Sequence, residues 1–229
     1  MGTAAGRLME LVRAVTAWFV DPGHWTGADA ISTRVLEHLL LSGTALAIAA
    51  LVALPIGLWI GHTGRGATIA INVANIGRAM PSYALLLVLF PIFHFGTPLP
   101  ALVLLAIPPI LVNAYTGIRG VDREIVEAGR GMGFSEVGLL RTVELPAGLP
   151  IVLAGLRTAS VQVIATATLA ALVAGGGLGR YIVDGFALRE DDRLVAGAVL
   201  VALLAVATER AFTLLGRRAI SPGLAVADG

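Results

Sequence analysis

The amino-acid sequence offers few side chains for covalent or metal chemistry. It contains no cysteine and no lysine, and all 16 of its basic residues are arginine. These absences exclude thiolate metal sites, disulfides, Schiff bases and the lysine-dependent phosphate loop of ATPases. The histidines lack the spacing of a metal site: His24, His38, His62 and His94. We therefore expect no catalytic centre and no cofactor in this chain, so another polypeptide would have to hydrolyse any ATP that drives it.

Two triplets of polar side chains recur at helical spacing within apolar stretches. They are Asn72, Asn75 and Arg78 at intervals of three residues, and Thr158, Gln162 and Thr166 at intervals of four. Polar groups inside apolar helices face protein or water rather than lipid. Both triplets are candidates for lining a polar pathway. Alternatively, the second makes hydrogen bonds between helices, and Arg78 binds backbone carbonyls or lies at a membrane interface.

Charged residues are concentrated in one segment. Of the 16 basic and 15 acidic side chains, nine lie in the 26 residues 119–144. Residues 122–130 are typical of a short charged helix, Gly131 and Gly133 interrupt it, and Ser135 can cap a second short helix. We expect Leu145-Pro146 to close that second helix. The pattern predicts a rigid pair of helices on one membrane face, with an ordinary amphipathic linker as the alternative.

Membrane-spanning helices must position these residues. The chain has 229 residues, of which 57% are hydrophobic and 14% charged, and its mean hydropathy is +0.87. Soluble domains carry roughly 25% charged residues, so the composition favours a polytopic membrane protein and excludes disorder. A span needs about 20 apolar residues. The apolar stretches predict an all-α fold with about five spans. One span lies at 39–60, two lie within 67–118 on either side of a break at 96–100, and the last two lie at 151–173 and 194–215.

The spans define three expected parts of the chain. Before the first span, apolar side chains from Leu8 to Phe19 fall on one side of a helical wheel, opposite Glu10 and Arg13. This amphipathic helix lies on the membrane surface or, alternatively, packs against the rest of the protein. The expected parts are an N-terminal arm (1–37), a transmembrane domain (38–216) with a polar loop at 119–146, and a C-terminal tail (217–229).

Gly57 and Gly61 form a Gly-x-x-x-Gly pair near the predicted end of the first span. Such pairs can pack two membrane helices closely. Because the pair lies at a predicted helix end, we interpret it as part of the loop rather than as a dimer seam.

The polar loop carries a spaced motif. Its residues are Glu127, Ala128, Gly129, Gly133, Val143, Leu145 and Pro146. The pattern resembles the EAA signature of the permease subunits of bacterial ATP-binding-cassette importers, in which Glu-Ala-Ala is followed at fixed intervals by Gly and by Ile-x-Leu-Pro. This chain departs from the signature at Gly129, which replaces Ala, and at Val143, which replaces Ile.

The resemblance extends over roughly residues 39–215. The stretches 109–118 and 174–179 resemble the branch that imports glycine betaine, choline, carnitine and related osmoprotectants. Importers of methionine and other small solutes share parts of these stretches. Asn113 and Tyr115 lie in the first stretch and are further candidates for lining the pathway. The ring of Tyr115 could attract a methylated ammonium group.

The resemblance implies that the loop forms coupling helices, which bind in a cleft of a separate cytoplasmic ATPase subunit that holds ATP and Mg. The implied ATPase-coupling residues are Glu127, Ala128, Gly129, Gly133, Leu145 and Pro146. Glu127 and Ala128 would lie on the docking surface, and Gly133 would let the chain turn. Further implied partners are a second permease chain, identical or related, an extracytoplasmic substrate-binding protein and the lipid bilayer, with no nucleic acid.

We therefore expect a multi-pass permease of the bacterial inner membrane that imports quaternary-amine osmoprotectants at the expense of ATP. Arginine counts barely decide its orientation, but a cytoplasmic loop would place the N-terminus outside and the C-terminus inside. A related importer of methionine or another small solute is one alternative. A secondary transporter or a channel is another, although a secondary transporter needs no structured charged loop and inverted repeats are not seen. A small membrane enzyme is a third, although dense carboxylates occur only in the polar loop and at 190–192, where arginines accompany them.

Overall fold

All regular elements in the described part of the chain are helices, as predicted. The computed structural model describes residues 4–68, 71–72, 75, 81–93, 97–173 and 175–219. The helices are α1 (Ala4–Val20), a 3-10 turn (Pro22–Trp25), α2 (Ile31–Thr63), α3 (Ser82–Phe93), α4 (Leu99–Arg119), α5 (Arg123–Gly131), α6 (Glu136–Ala170), α7 (Gly179–Leu188) and α8 (Asp191–Ala219).

Within the described residues, four helices are long and apolar enough to cross a membrane: α2, α4, α6 and α8. The apolar α3 has only 12 residues, fewer than the about 20 that a span needs. The polytopic all-α fold is therefore confirmed. The helix of the first span begins at Ile31, earlier than the predicted start of the span at Leu39. Its first turns hold a 2.8 Å ion pair between Arg34 and Glu37, which offsets the charge of these polar residues.

Contacts divide the chain into two compact units. One comprises Met1–Ala45, Ser82–Leu102 and Val163–Ala207, and the other comprises Leu46–Pro81, Val103–Gln162 and Thr208–Gly229. The core of the first unit is an apolar cluster on α1, α2, α7, α8 and the turn before α7: Trp18, Ile31, Leu178, Tyr181, Ala196 and Val201.

The C-terminal end of α1 packs inside the first unit. The Trp18 ring stacks on His24 with centroids 4.1 Å apart and meets Tyr181 edge-on at 5.3 Å. Burial raises the pKa of the Tyr181 phenol. Farther back along α1, Leu8 and Val12 are 63% and 52% exposed. Part of α1 therefore packs against the protein, while the apolar side chains nearer its start stay available for a membrane surface.

In the second unit, α2 packs on α4 at two glycines. A Cβ atom at Gly57 would lie 2.6 Å from the Cβ of Ala114, and one at Gly61 would lie 2.7 Å from the Cβ of Ile118. Such distances are too short for any residue larger than glycine. The interpretation of this pair as part of a loop is wrong, because α2 continues to Thr63 and both glycines form a helix-packing seam.

The α6 helix packs on α4 through a second glycine seam. A Cβ at Gly148 would lie 2.5 Å from the carbonyl oxygen of Gly117, and one at Gly155 would lie 2.5 Å from the Cβ of Asn113. The backbones of the two helices therefore touch. Since α4 leads into the polar loop and α6 leaves it, this seam holds both ends of the loop.

One pair of charged side chains inside the spans of the second unit forms an ion pair. The guanidinium of Arg157 on α6 lies 3.5 Å from the carboxylate of Glu209 on α8. Sequence inspection treats these charges separately, because the two positions lie 52 residues apart along the chain. The pair removes two isolated charges from apolar surroundings, where each would be costly.

Candidate functional site

The polar loop at 119–146 is built on a small apolar core. Its first helix, α5, begins after Asp122, whose carboxylate accepts a 2.9 Å hydrogen bond from the backbone N–H of Glu124. This contact is an N-cap, which satisfies one of the free N–H groups of the first turn. Below the helix, Val126 and Leu139 are fully buried and pack with Val121. The loop therefore has a fixed shape, as the charged-helix pattern predicts.

A glycine turn connects α5 to α6. Gly133 has a positive φ of +87°. Its N–H donates to the carbonyl oxygen of Arg130 at 2.9 Å, and the N–H of Phe134 donates to the carbonyl oxygen of Gly129 at 3.2 Å. This pair of bonds is a Schellman motif, in which the left-handed position strongly favours glycine. The hydroxyl of Ser135 then accepts from the N–H of Gly138 at 3.1 Å and caps α6.

The prediction that Leu145-Pro146 closes a short second helix is wrong. The helix runs without a break from Glu136 to Ala170. A wide π turn at Leu140–Glu144 precedes the proline, and in it the N–H of Leu145 donates to the carbonyl of Leu140. Such a turn makes room for the proline ring, which would clash with a carbonyl in a regular helix. The loop and the span that follows it are therefore one continuous helix.

Several apolar side chains on the outside of the loop are exposed. They are Ile125 (56%), Met132 (73%), Phe134 (44%) and Val137 (59%). Glu127 and Ala128 are exposed beside them. Exposed apolar side chains in an otherwise charged segment make this surface a candidate site of interaction with another protein. We call these four apolar residues, together with Glu127 and Ala128, the outer surface of the loop.

The remaining ATPase-coupling candidates lie in different surroundings. Gly129 lies on the buried face of α5, and a Cβ there would lie 2.5 Å from the Cδ2 atom of Leu139. An alanine at this position would need the end of the Leu139 side chain to shift. Gly133 and Pro146 are exposed, and Leu145 is half-buried.

A cluster of ionisable groups that the sequence did not predict lies at the base of the loop. His62, in the last turn of α2, has its Nε2 atom 3.0 Å from a carboxylate oxygen of Glu136, and its Nδ1 atom contacts Glu144. Glu144 is fully buried, and its other oxygen lies 3.2 Å from the guanidinium of Arg123. Glu136 binds Arg130 through two hydrogen bonds of 2.8 and 2.9 Å, which raise the pKa of the arginine.

The sequence carries a partial signal for this cluster. Charges of both signs alternate within the loop, and this pattern indicates ion pairs without naming the partners. Nothing local marks His62, since it lies 82 residues from Glu144 along the chain. Across the described part of the chain, no three or more His, Asp or Glu side chains are placed to hold a metal ion.

The first set of pathway candidates is only partly described. Asn72 and Asn75 are exposed, whereas Arg78 lies outside the described residues. Asn113 and Tyr115 on α4 are half-buried. The Asn113 amide donates a 2.8 Å hydrogen bond to the carbonyl of Pro109 in its own helix. Their pathway role stays a prediction.

The second triplet on α6 changes its surroundings along the helix. Thr158 is exposed, Gln162 is half-buried and Thr166 is buried. The Thr158 hydroxyl donates to the carbonyl of Ala154 in its own helix at 2.9 Å. The Gln162 amide reaches the carbonyl of Leu105 on α4 at 3.5 Å, the kind of interhelical bond that the alternative predicts.

Spanning helices that carry a structured polar loop with an exposed apolar surface are consistent with a membrane component of a transport system. Comparison with known proteins agrees with this class. Residues 53–221 match the family described as the inner membrane component of binding-protein-dependent transport systems. The chain belongs to this family.

Similar proteins support the assignment. The chain is 36% identical to the choline transport system permease protein OpuBB of Bacillus subtilis, over 87% of this chain and 93% of that protein. It is 37% identical to the glycine betaine/carnitine/choline transport system permease protein OpuCB of the same organism, over 82% of this chain and 88% of that protein. A solved inward-facing structure of the MetNI methionine transporter superposes with a TM-score of 0.75 at 19% identity, covering 88% of this chain and 99% of that one.

These findings confirm the resemblance to permease subunits of ATP-binding-cassette importers, and they confirm a transport role in the bacterial inner membrane. The alternatives of a secondary transporter or a channel do not match this family. The methionine transporter shares the fold, and its 19% identity carries no further argument.

Proposed function

We propose that the chain is the permease of an importer for choline, glycine betaine or carnitine. The relatives that support this substrate class are named for these compounds and are 36–37% identical over most of the chain. All three compounds carry a quaternary ammonium group. A separate ATPase subunit, which holds ATP and Mg, supplies the energy.

The outer surface of the loop is the observation that carries the coupling role. Exposed apolar side chains beside Glu127 form the kind of patch that becomes buried in a protein interface. The apolar core under α5, the capped turn at Gly133 and the ion pairs at the base hold this patch rigid. In the proposed mechanism the ATPase binds Glu127 and Ala128, and its movement on ATP binding pushes the loop as a rigid body.

The proposed arrangement in the membrane follows from this docking. The loop faces the cytoplasm, the N-terminus lies outside and the C-terminus inside. The arm at 1–37 precedes the permease domain at 38–216, and the tail at 217–229 follows it. A second permease chain completes the pathway, and an extracytoplasmic binding protein delivers the solute, as the binding-protein-dependent family description suggests.

Reversal of one charge tests the coupling role. In Glu127→Arg we expect the permease to reach the membrane, but co-purification of the ATPase and ATP-driven uptake of labelled choline should each fall at least about tenfold, as for the loss of an interface hot spot. The matched control is Glu10→Arg, which reverses an exposed carboxylate on α1 and should leave both unchanged.

The same uptake assay tests the substrate. Unlabelled glycine betaine and carnitine should compete with labelled choline, and methionine should not. Wild-type co-purification and uptake in Glu127→Arg would overturn the docking assignment. Competition by methionine alone would overturn the substrate class.

A further inference from the structure

A cavity of about 440 Å³ in the first unit plays no part in the proposed coupling role. It lies between the segment that precedes α2 and the connection from α7 to α8. Trp18 and Tyr181 are buried and line its inner part. Its mouth is lined by exposed residues: Gly23, Asp29 and Glu190. Pockets for small organic ligands have volumes of about 300–1,000 Å³, so the cavity has room for one small solute.

The proposed arrangement in the membrane places this cavity on the outer side. The N-terminus is outside, so the segment between α1 and α2 is outside as well. The span α6 leaves the cytoplasmic loop and crosses outward, which puts α7 and the start of α8 on the same side. The Tyr181 hydroxyl donates a hydrogen bond to the backbone carbonyl of Asp29, 152 residues away along the chain. Two distant segments that the topology assigns to one side therefore meet in one cavity.

The wall of the cavity carries an excess of negative charge. Its carboxylates, Asp29, Glu190 and Asp192, outnumber its guanidinium groups three to one. The one guanidinium, that of Arg193, lies 3.1 Å from a carboxylate oxygen of Asp184 and 3.3 Å from one of Glu190. Asp192 is half-buried and accepts a hydrogen bond from the N–H of the next residue, but it forms no ion pair within the described residues. The cavity therefore favours a positively charged ligand.

The inner wall adds aromatic rings and one free hydrogen-bond donor. Trp18 is 6% exposed, and its indole N–H makes no hydrogen bond to any residue that the structure describes. A buried indole N–H usually has a partner, so a ligand with an oxygen atom would supply the missing acceptor. The Arg193 guanidinium lies 5.9 Å from the centroid of the Tyr181 ring. This wall therefore already holds an organic cation at cation–π distance.

These features together match a small quaternary ammonium compound. Its ammonium group carries a charge but no hydrogen-bond donor, so nearby carboxylates and rings are sufficient to bind it. Choline also carries a hydroxyl oxygen, and glycine betaine and carnitine carry a carboxylate, so each offers an acceptor for the indole N–H. A bare metal ion does not match, since no three His, Asp or Glu side chains in the described ranges are placed as its ligands.

We propose that this cavity is an outer binding site, on the permease itself, for the quaternary ammonium solutes. This inference rests on the proposed function, because both the solute class and the orientation come from it. The ammonium group binds beside Asp192, and the indole N–H of Trp18 donates to the oxygen of the solute. The site holds solute at the outer face independently of the binding protein.

Direct binding to the permease tests the site. The complete permease with its ATPase is placed in lipid nanodiscs without the binding protein, and the Kd of labelled choline is measured by equilibrium dialysis at constant ionic strength. Choline should bind, and unlabelled glycine betaine should displace it. In Asp192→Asn the Kd should rise about fivefold, the upper size of effect for one exposed ion pair.

The matched control is Asp191→Asn. Both aspartates lie in the first turn of α8, so each variant removes the same charge from the same helix end. Asp191 is exposed and does not line the cavity. The Kd of choline should change by less than about twofold in this control, because salt screens a charge outside the site.

Two further variants give a change of opposite sign and a location. Arg193→Met removes the cation from the Tyr181 ring and releases Glu190, so the Kd of choline should fall about fivefold. A folding defect would not tighten binding. The change in tryptophan emission on choline binding should persist in Trp25→Phe, since Trp25 lies outside the cavity wall, and disappear in Trp18→Phe.

Equal Kd values in Asp191→Asn and Asp192→Asn would overturn the proposal, as would unchanged or weaker binding in Arg193→Met. If Arg193→Met does not reach the membrane, the two aspartate variants decide alone. Loss of binding-protein association in Asp192→Asn, with the Kd of choline unchanged, would also overturn it and assign the cavity to protein docking. Normal choline uptake by the complete importer without binding to the permease would refute only this inference, whereas absence of uptake would refute the proposed function.

Discussion

A single methyl group at Gly148 tests the contact between α4 and α6. In Gly148→Ala the new Cβ would lie 2.5 Å from the carbonyl oxygen of Gly117 and 2.7 Å from its carbonyl carbon. Even close C···O contacts between backbones are about 3.3–3.6 Å long, so the helices must separate by about 1 Å. Neither atom belongs to a side chain that could rotate away.

The expected cost follows from two opposing effects. Overpacking of this kind destabilises the folded protein by about 1–3 kcal/mol. Replacing glycine by alanine within a helix stabilises it by about 0.5–1 kcal/mol. We expect Gly148→Ala to lower the free energy of unfolding by roughly 1–2 kcal/mol. For a protein of 150–250 residues, 1 kcal/mol corresponds to about 2–4 °C, so the apparent Tm should fall by about 2–8 °C.

The assay is thermal unfolding of the purified permease in detergent. The matched control is Gly43→Ala, because Gly43 also lies inside a helix but a Cβ there would meet no atom within 4 Å. The control should raise the Tm by about 1–4 °C through helix propensity alone. If Gly148→Ala melts at or above the wild type, the two backbones do not touch as described, and the seam is not a constraint on the loop.

Two backbone positions give further predictions. Arg189 ends α7 in the left-handed conformation with φ +60°, so Arg189→Gly should raise the Tm by about 2–8 °C by removing roughly 1–2 kcal/mol of strain. A lower Tm would show that the arginine side chain contributes more than its strain costs. Gly133→Ala introduces the same strain at φ +87° with no steric contact and should speed hydrogen exchange of α5 by about tenfold, measured by mass spectrometry. Unchanged exchange would contradict the role of the glycine turn.

Local signals account for the parts of the fold that the sequence predicts. The spans are long apolar runs, and α5 is visible because its charges, its capping Asp122 and the glycines after it are neighbours in the chain. Local rules also explain the error at Leu145-Pro146. Proline ordinarily ends a helix, and the wide turn at Leu140–Glu144 that admits it here depends on its packing rather than on its sequence.

Contacts between distant residues account for what the sequence does not predict. The Gly57–Gly61 pair precedes a tight turn, and its packing role depends on Ala114 and Ile118, which lie on another helix. Which members of the triplet Thr158, Gln162 and Thr166 are exposed and which are buried likewise depends on the helices that surround α6. An isolated histidine at the end of an apolar run has no distinguishing pattern until Glu144 is brought beside it.

These distant contacts converge on one region of the second unit. Glycine seams fix α4 against both α2 and α6 just before the loop, and the His62 cluster joins the end of α2 to α5 and to the start of α6 at the base of the loop. Close backbone packing resists sliding, because small residues leave no flexible side chain to yield. A force applied at the outer surface of the loop would therefore move three helix ends together, whereas a loop attached only through its two chain connections would bend. Much of the rigidity that the proposed coupling requires thus resides in residues outside the EAA motif.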